Sequence, residues 1–274
     1  MIQKAEKLRV ALIAKLKQQG YVYSAAIETS LLRVPREHFA DWLSLEDAYA
    51  DKAFRNPLTE ADSSISQPSA IAIMLESFDL KIGMNVLEIG AGTGYNAALM
   101  AHVVSDRGKI TSLDIEPELI EKARSKLKNY TNIQVHIGDG ALGFLPNAPY
   151  DRIVATVGFW DVPLDYLTQL KPEGKLILPL YLGGEPHDYV LVSLLAKGDH
   201  FQGYGLANLR MVQMRGINAP KTERLEFQNG SNWQGLVAEK LAISIYPAHL
   251  APPLEAAEKH IFKPGTLTVL GPKT

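Results

Sequence analysis

Cysteine is absent from the 274 residues. That removes disulfides, thiolate metal sites and cysteine nucleophiles together, and it fits a reducing compartment. Charge of one sign is lacking too: 28 Lys+Arg stand against 30 Asp+Glu, a formal net charge of −2. Nucleic-acid affinity comes largely from Lys and Arg neutralising phosphates, so no nucleic-acid partner is expected. No apolar run approaches the ~20 residues that cross a bilayer. The opening MIQKAEKLRVALIAKLKQQG carries charges throughout and lacks the apolar core of a signal peptide. The expectation is a cytoplasmic protein with no membrane partner. The histidines show no His-Glu-x-x-His or paired spacing, so no metal site is expected either. With 46% hydrophobic and 21% charged residues the chain has ordinary globular composition. Its length permits one large α/β domain, or about 150–200 residues plus an appendage.

What is present is an alternation. Leu8, Leu12, Ile13 and Leu16 recur at helical spacing and predict an amphipathic helix stopped by Gly20. Residues 1–80 read as helices around an irregular polar stretch at 56–66. Apolar runs at 85–90, 109–115, 133–137, 151–158 and 175–182 predict five strands, with helices at 95–104, 117–129 and 164–170 between them. Near-continuous apolar strands separated by helices mean a doubly wound, mostly parallel α/β sheet, covered on both faces. Beyond 184, residues 190–196 and 206–214 read as two more strands flanking a Gly-Asp-His-Phe-Gln-Gly turn, and 235–242 as a short helix. The division this suggests is a domain over 1–220, including the N-terminal helices, and a small C-terminal extension over 221–274. Nothing in the sequence specifies oligomeric state.

The chemistry concentrates in Glu88-Ile89-Gly90-Ala91-Gly92-Thr93-Gly94, which follows a strand and opens a helix. Glycines there allow close backbone approach, and the helix N-terminus offers unpaired N–H groups. The spacing is G-x-G-x-G and not the dinucleotide G-x-G-x-x-G, which speaks against an oxidoreductase. Asp114 ends the next strand, where its carboxylate can accept both ribose hydroxyls of a nucleoside. Asp139, followed by Gly140, ends the third, where it can accept from an adenine amino group. A tight strand–helix turn would explain the glycines alone. Three acids at three successive strand ends point instead to a nucleoside cofactor carrying positive charge.

This combination resembles the class I S-adenosylmethionine-dependent methyltransferases. A second motif narrows the resemblance. Ser63-Ser64-Ile65-Ser66-Gln67-Pro68 is similar to the threonine–isoleucine–serine–glutamine–proline signature of the protein-L-isoaspartate O-methyltransferases. Arg33-Val34-Pro35-Arg36-Glu37-His38-Phe39, Tyr49-Ala50-Asp51-Lys52-Ala53, Gly138-Asp139-Gly140, Ala148-Pro149-Tyr150-Asp151-Arg152-Ile153 and Leu170-Lys171-Pro172-Glu173-Gly174-Lys175-Leu176 match in order. The resemblance runs to about Pro220. It implies S-adenosyl-L-methionine as cofactor, held by Glu88, Gly90, Gly92, Gly94, Asp114, Asp139 and Gly140. It also implies a protein or peptide substrate carrying an isoaspartyl carboxylate, a repair activity. Ser66 matches the family's active-site serine, whose hydroxyl can hold the acceptor carboxylate in line. Ser64, Gln67 and, at the end of the fourth strand, Trp160 are the candidate substrate neighbours, with Ser63 behind them. A carboxylate ionises near pH ~4, so the reaction needs alignment and no general base.

Four features depart from the family pattern. Residues 54–62 form a longer loop without glycine where a short glycine-containing one is usual. Ser69 stands where an aromatic residue or histidine is common, and Gly158-Phe159-Trp160 replaces small Ala/Pro residues. Residues 221–274 extend beyond the resemblance. Relatives with C-terminal extensions methylate unaltered aspartate in ribosomally made peptides, through a methyl ester and succinimide, and that is the alternative substrate. The alternative of another class is a non-catalytic nucleoside- or partner-binding module on the same fold.

Overall fold

Short polar residues open two of the N-terminal helices, because their side chains take N–H groups that a first turn leaves unpaired. Helix α1 (Ile2–Gln18) ends ahead of Gly20, which sits at φ +79. Ser24 caps α2 (Ala25–Arg33) by accepting from the Ile27 N–H at 3.4 Å. After α3 (Arg36–Phe39), Ser44 caps α4 (Leu45–Ala48) by accepting from the Asp47 N–H at 3.1 Å. The structure, a computed structural model, describes residues 2–57, 59–60, 63–163, 165–181, 188–197, 200–212, 214–216, 242–246 and 266–270. The chain divides into two units, Met1–Gly138 and Asp139–Thr274.

In the first unit a minimal hairpin starts just before the stretch expected to be irregular, 56–66, and ends within it. Strands β1 (Phe54–Arg55) and β2 (Ser64–Ile65) pair antiparallel, and the Asn56 N–H donates to the Ser63 carbonyl at 2.8 Å. Two residues per strand give no alternation to read, so a sequence pattern could not reveal it. Helix α5 (Pro68–Ser77) follows, with Pro68 in its first turn, where a missing N–H costs nothing. Strands β3 (Asn85–Ile89), β4 (Lys109–Asp114) and β5 (Ile133–Ile137) then form a parallel array in that order, alternating with α6 (Tyr95–Val104) and α7 (Pro117–Leu127). Helix α6 is apolar almost all round and buried along eight of its ten residues, because α2 covers part of it; Ser30 Oγ on α2 donates to the Leu99 carbonyl at 2.8 Å. Helix α7 buries only Leu119, Ile120, Ala123 and Leu127, with its charged residues outward.

The second unit begins with β6 (Tyr150–Ala155) and the one-turn helix α8 (Tyr166–Gln169). Strand β7 (Leu170–Leu180) lies parallel to β6, and the long hairpin of β8 (Asp188–Lys197) and β9 (His200–Arg210) continues the sheet antiparallel. Strands β10 (Ala242–Tyr246) and β11 (Thr266–Leu270) extend it, β10 antiparallel to β9 and β11 parallel to β10. Strand β7 starts five residues earlier than the apolar run, and its register slips opposite β6 between Tyr150 and Arg152, with Glu173 at φ +63. The expected turn over Gly-Asp-His-Phe-Gln-Gly is partly strand: His200 pairs with Lys197 and Phe201 with Ala196. Polar and glycine content suggested a turn, but hairpin pairing sets the conformation there. Gly203 is required by that pairing, since a Cβ would lie 1.8 Å from the Ser193 carbonyl oxygen. Of the helix expected over 235–242, Ala242 opens β10 and the rest lies outside the described residues. The same is true of most of the 221–274 extension.

Candidate active site

The turn after β3 is built by its own backbone. Gly90, Gly92 and Gly94 all have positive φ, +96, +50 and +83. The N–H groups of Gly90 and Ala91 both donate to the Leu113 carbonyl at 2.8 Å, which ties the turn to the end of β4. Asp114 completes the tie: its Oδ2 accepts from the Gly92 N–H at 3.0 Å and its Oδ1 from the Glu116 N–H at 3.2 Å. Gly94 has a second reason to lack a side chain, because a Cβ would stand 2.9 Å from Leu127 Cδ1 on α7. At Gly92 a Cβ would meet nothing within 4 Å, so the turn leaves open space at the strand end. A nucleoside fits such a place: backbone free of side chains, beside a carboxylate whose bonds to Gly92 and Glu116 fix its orientation.

Glu88 lies beneath the turn, fully buried. Asn96 Nδ2 donates to its Oε1 at 2.8 Å and Ser112 Oγ to its Oε2 at 2.5 Å. Burial pushes its carboxyl up to about 7, against those two hydrogen bonds, and the Asp114 charge adds to the rise. The structure thus gives Glu88 two protein partners and no solvent-facing surface. Asn96 and Ser112 carry no motif of their own in the sequence, although Asn96 lies two residues past Gly94 and Ser112 two before Asp114.

In the second unit Asp139 precedes a single turn of 3-10 helix (Gly140–Leu142), and its Oδ1 accepts from the Ala141 N–H at 2.9 Å. The backbone of Gly216 passes beside the carboxylate, close enough that a Cβ there would lie 2.2 Å from Oδ2. This turn is held from α8. Tyr166 Oη donates to the Gly140 carbonyl at 2.5 Å, Gln169 Nε2 donates to the Leu142 carbonyl at 2.8 Å, and Gln169 Oε1 accepts from the Phe144 N–H at 2.8 Å. Burial, with the Asp139 and Asp165 charges, raises the Tyr166 pKa, so its proton stays on the donor oxygen.

Ser64, Ser66 and Gln67 lie in the first unit, all half-buried, on and just after β2. Gln67 is the N-cap residue of α5 without a side-chain cap bond. The Ser66 carbonyl accepts from Arg36 Nη2 at 2.8 Å, and the Ser69 N–H donates to Asp51 Oδ1 at 2.9 Å. Trp160, in the second unit, has its ring 4.2 Å from that of Tyr181, and its buried indole N–H has no hydrogen-bond partner among the described residues. Gly158 is fixed by packing, since a Cβ would come 2.2 Å from Cζ of Tyr189. Its N–H donates to the Val212 carbonyl at 2.7 Å. Burial raises the neighbouring Asp161 carboxyl, partly offset by its bond from the Val162 N–H. No group of His, Asp or Glu able to hold a metal occurs among the described residues, and none of their helices is long and apolar enough to cross a membrane.

Comparison with known proteins adds the decisive observation. The sequence profile described as protein-L-isoaspartate(D-aspartate) O-methyltransferase (PCMT) matches residues 7–201. The chain belongs to this family. A protein-L-isoaspartate O-methyltransferase of Pyrococcus horikoshii is 42% identical over 170 residues, 61% of this chain and 75% of the relative. A solved protein-L-isoaspartate O-methyltransferase superposes with a TM-score of 0.70 at 33% identity, covering 77% of this chain and 67% of that one. A PCMT structure from Plasmodium falciparum in complex with S-adenosyl-L-homocysteine has a TM-score of 0.64 at 19% identity, over 76% of this chain and 98% of that one. Together these give the chain the Rossmann-like α/β fold of class I methyltransferases. The PCMT profile ends at residue 201, so most of β9 and all of β10 and β11 lie outside it.

Proposed function

We propose that this chain is a cytoplasmic S-adenosyl-L-methionine-dependent carboxyl O-methyltransferase acting on isoaspartyl residues of proteins or peptides. The observation that carries the reading is the turn of left-handed glycines pinned to Asp114, in a chain of the PCMT family. Gly90, Gly92 and Gly94 give the cofactor room at the backbone, and Asp114 accepts from its ribose. Glu88 fixes the turn from below, through Asn96 and Ser112. In the second unit Asp139 and Gly140 are assigned the adenine end. When bound, S-adenosyl-L-methionine supplies a methyl group made electrophilic by a sulfonium centre. The chain's own part is to orient the acceptor and keep water away. The acceptor is already an anion at neutral pH, so no residue need take a proton. Ser66 donates a hydrogen bond that holds the carboxylate in line, and Ser64 and Gln67 flank it; in the second unit Trp160 is assigned to the substrate.

The aspartyl-tailoring alternative rests on the 54–62 loop and the 221–274 extension, and no relative named above carries that activity in its name. The non-catalytic alternative gains nothing from them either. The test uses S-adenosyl-L-methionine with an isoaspartyl peptide and its aspartyl twin. Methyl ester should form on the isoaspartyl peptide, and Ser66→Ala should lower kcat at least about tenfold while S-adenosyl-L-homocysteine affinity holds. Turnover on the aspartyl twin alone would move the substrate to the tailoring class. Cofactor binding without turnover on either would leave the non-catalytic module.

A further inference from the structure

Arg36 is 1% exposed, and among the described residues no carboxylate hydrogen-bonds to it, although the Asp51 charge acts on it. Its Nε donates to the Ala48 carbonyl and its Nη2 to the Ser66 carbonyl, each at 2.8 Å. Its Nη1 is buried without a hydrogen-bond partner among the described residues. The guanidinium lies 5.4 Å from the ring centroid of Tyr95, the residue that follows Gly94 and begins α6. A cation withdrawn from water and matched mainly by carbonyl oxygens and a ring is a costly way to hold a fold together. An apolar side chain of similar volume often serves stability as well or better. Arg36 touches both halves of the reaction described above: the helix that starts at the glycine turn, and the backbone of the acceptor serine.

We propose that Arg36 is a positioning residue for methyl transfer, fixing the Ser66 carbonyl, and through it the Ser66 hydroxyl, against the start of α6. The inference rests on the reading of Ser66 as the acceptor-orienting residue. The surrounding pins show why Arg36 is needed at that point. Asn56 holds Ser63 by a backbone bond of 2.8 Å, and Asp51 holds the Ser69 N–H at 2.9 Å. Ser66 stands midway between these, at the crossing from β2 into α5, with the guanidinium as its tether. Arginine suits the task because its planar fork reaches two carbonyls in fixed, different directions, while the single ammonium of lysine cannot. A shift of ~1 Å in an aligning group is enough to cost about 100-fold in rate.

The experiment is a double-mutant cycle on the full chain. Arg36→Lys, Arg36→Met, Ser66→Ala and Arg36→Lys/Ser66→Ala are assayed for kcat and KM on an isoaspartyl peptide. Affinity for S-adenosyl-L-homocysteine is measured by calorimetry, and the lysine variant serves if the methionine variant does not fold. Arg36→Lys should lower kcat about tenfold or more, with KM and cofactor affinity within about threefold of the parent. In the Ser66→Ala background the same change should slow the enzyme by less than about twofold, because the group it positions is gone. A multiplicative loss in the double variant, an unchanged kcat in Arg36→Lys, or cofactor affinity falling in step with kcat would each overturn the inference. An unchanged rate in Ser66→Ala alone would instead overturn the acceptor reading beneath it.

Discussion

The turn after β3 and the turn after β5 occupy equivalent places in the chain and are held by opposite means. The first is tied by main-chain bonds to Leu113 and by Asp114, the next residue along. The second, from Asp139 to Phe144, is tied chiefly by side chains of Tyr166 and Gln169, with Tyr150 Oη donating to the Phe144 carbonyl at 2.5 Å. A turn secured by backbone depends on which residues it lacks, here side chains at three glycines. A turn secured by distant side chains depends on packing elsewhere. The first is therefore rigid by local geometry and the second by the state of α8.

The largest test of this contrast is electrostatic and falls on the first turn. Glu88 is held near 4.5 when unfolded and about 7 when folded. Below about 4.5 both states keep the proton, between about 4.5 and 7 only the folded state does, and above about 7 neither does. The unfolded state then binds fewer protons across that window, so this carboxyl's share of stability, about 3 kcal/mol, is lost as pH rises through it. Glu88→Gln should flatten that slope in denaturation curves taken from pH 4.5 to 8; an unaltered slope would mean the carboxyl is not the buried acid of the turn. Next comes Gln169→Leu, which removes the bonds to the Phe144 N–H and the Leu142 carbonyl at a cost of about 2–3 kcal/mol in urea unfolding. No loss there would break the contrast outright. Gly94→Ala places a side chain in left-handed backbone and against Leu127, for about 2 kcal/mol and a matching loss of cofactor affinity by calorimetry. Tyr166→Phe is smallest, about 1 kcal/mol, and should weaken S-adenosyl-L-homocysteine a few-fold with little change in kcat.

How far the sequence could be read follows the same contrast. Strand β5 and helix α6 have the bounds expected of them, because glycine and polar residues end the apolar runs that define them. The glycine turn and Asp114 are legible because glycine spacing and an acid at a strand end make a linear pattern, even though Asp114 reaches Gly92 across 22 residues. Arg36 lay inside a motif that matched the family, yet nothing in a linear pattern says that its guanidinium reaches residue 66. Tyr166 and Gln169 carry no signal, since neither ends a strand or belongs to a glycine turn, although their reach is comparable to that of Asp114. The β1–β2 hairpin and the start of β9 escaped for a related reason. Their conformation is set by pairing partners, and His200 or Phe54 alone expresses no such preference.

The contact between Gly158 and Tyr189 has an evolutionary side. An alanine at 158 has no room while the ring of Tyr189 is in place. Tyr189→Phe would not help, because the ring carbons themselves stand 2.4 and 2.7 Å from the added atom. A pair of substitutions enlarging residue 158 must first shrink residue 189. The reverse order passes through an intermediate with a steric clash. The order of substitution therefore matters at this strand end: Gly158→Ala becomes sterically possible only after residue 189 has been made smaller.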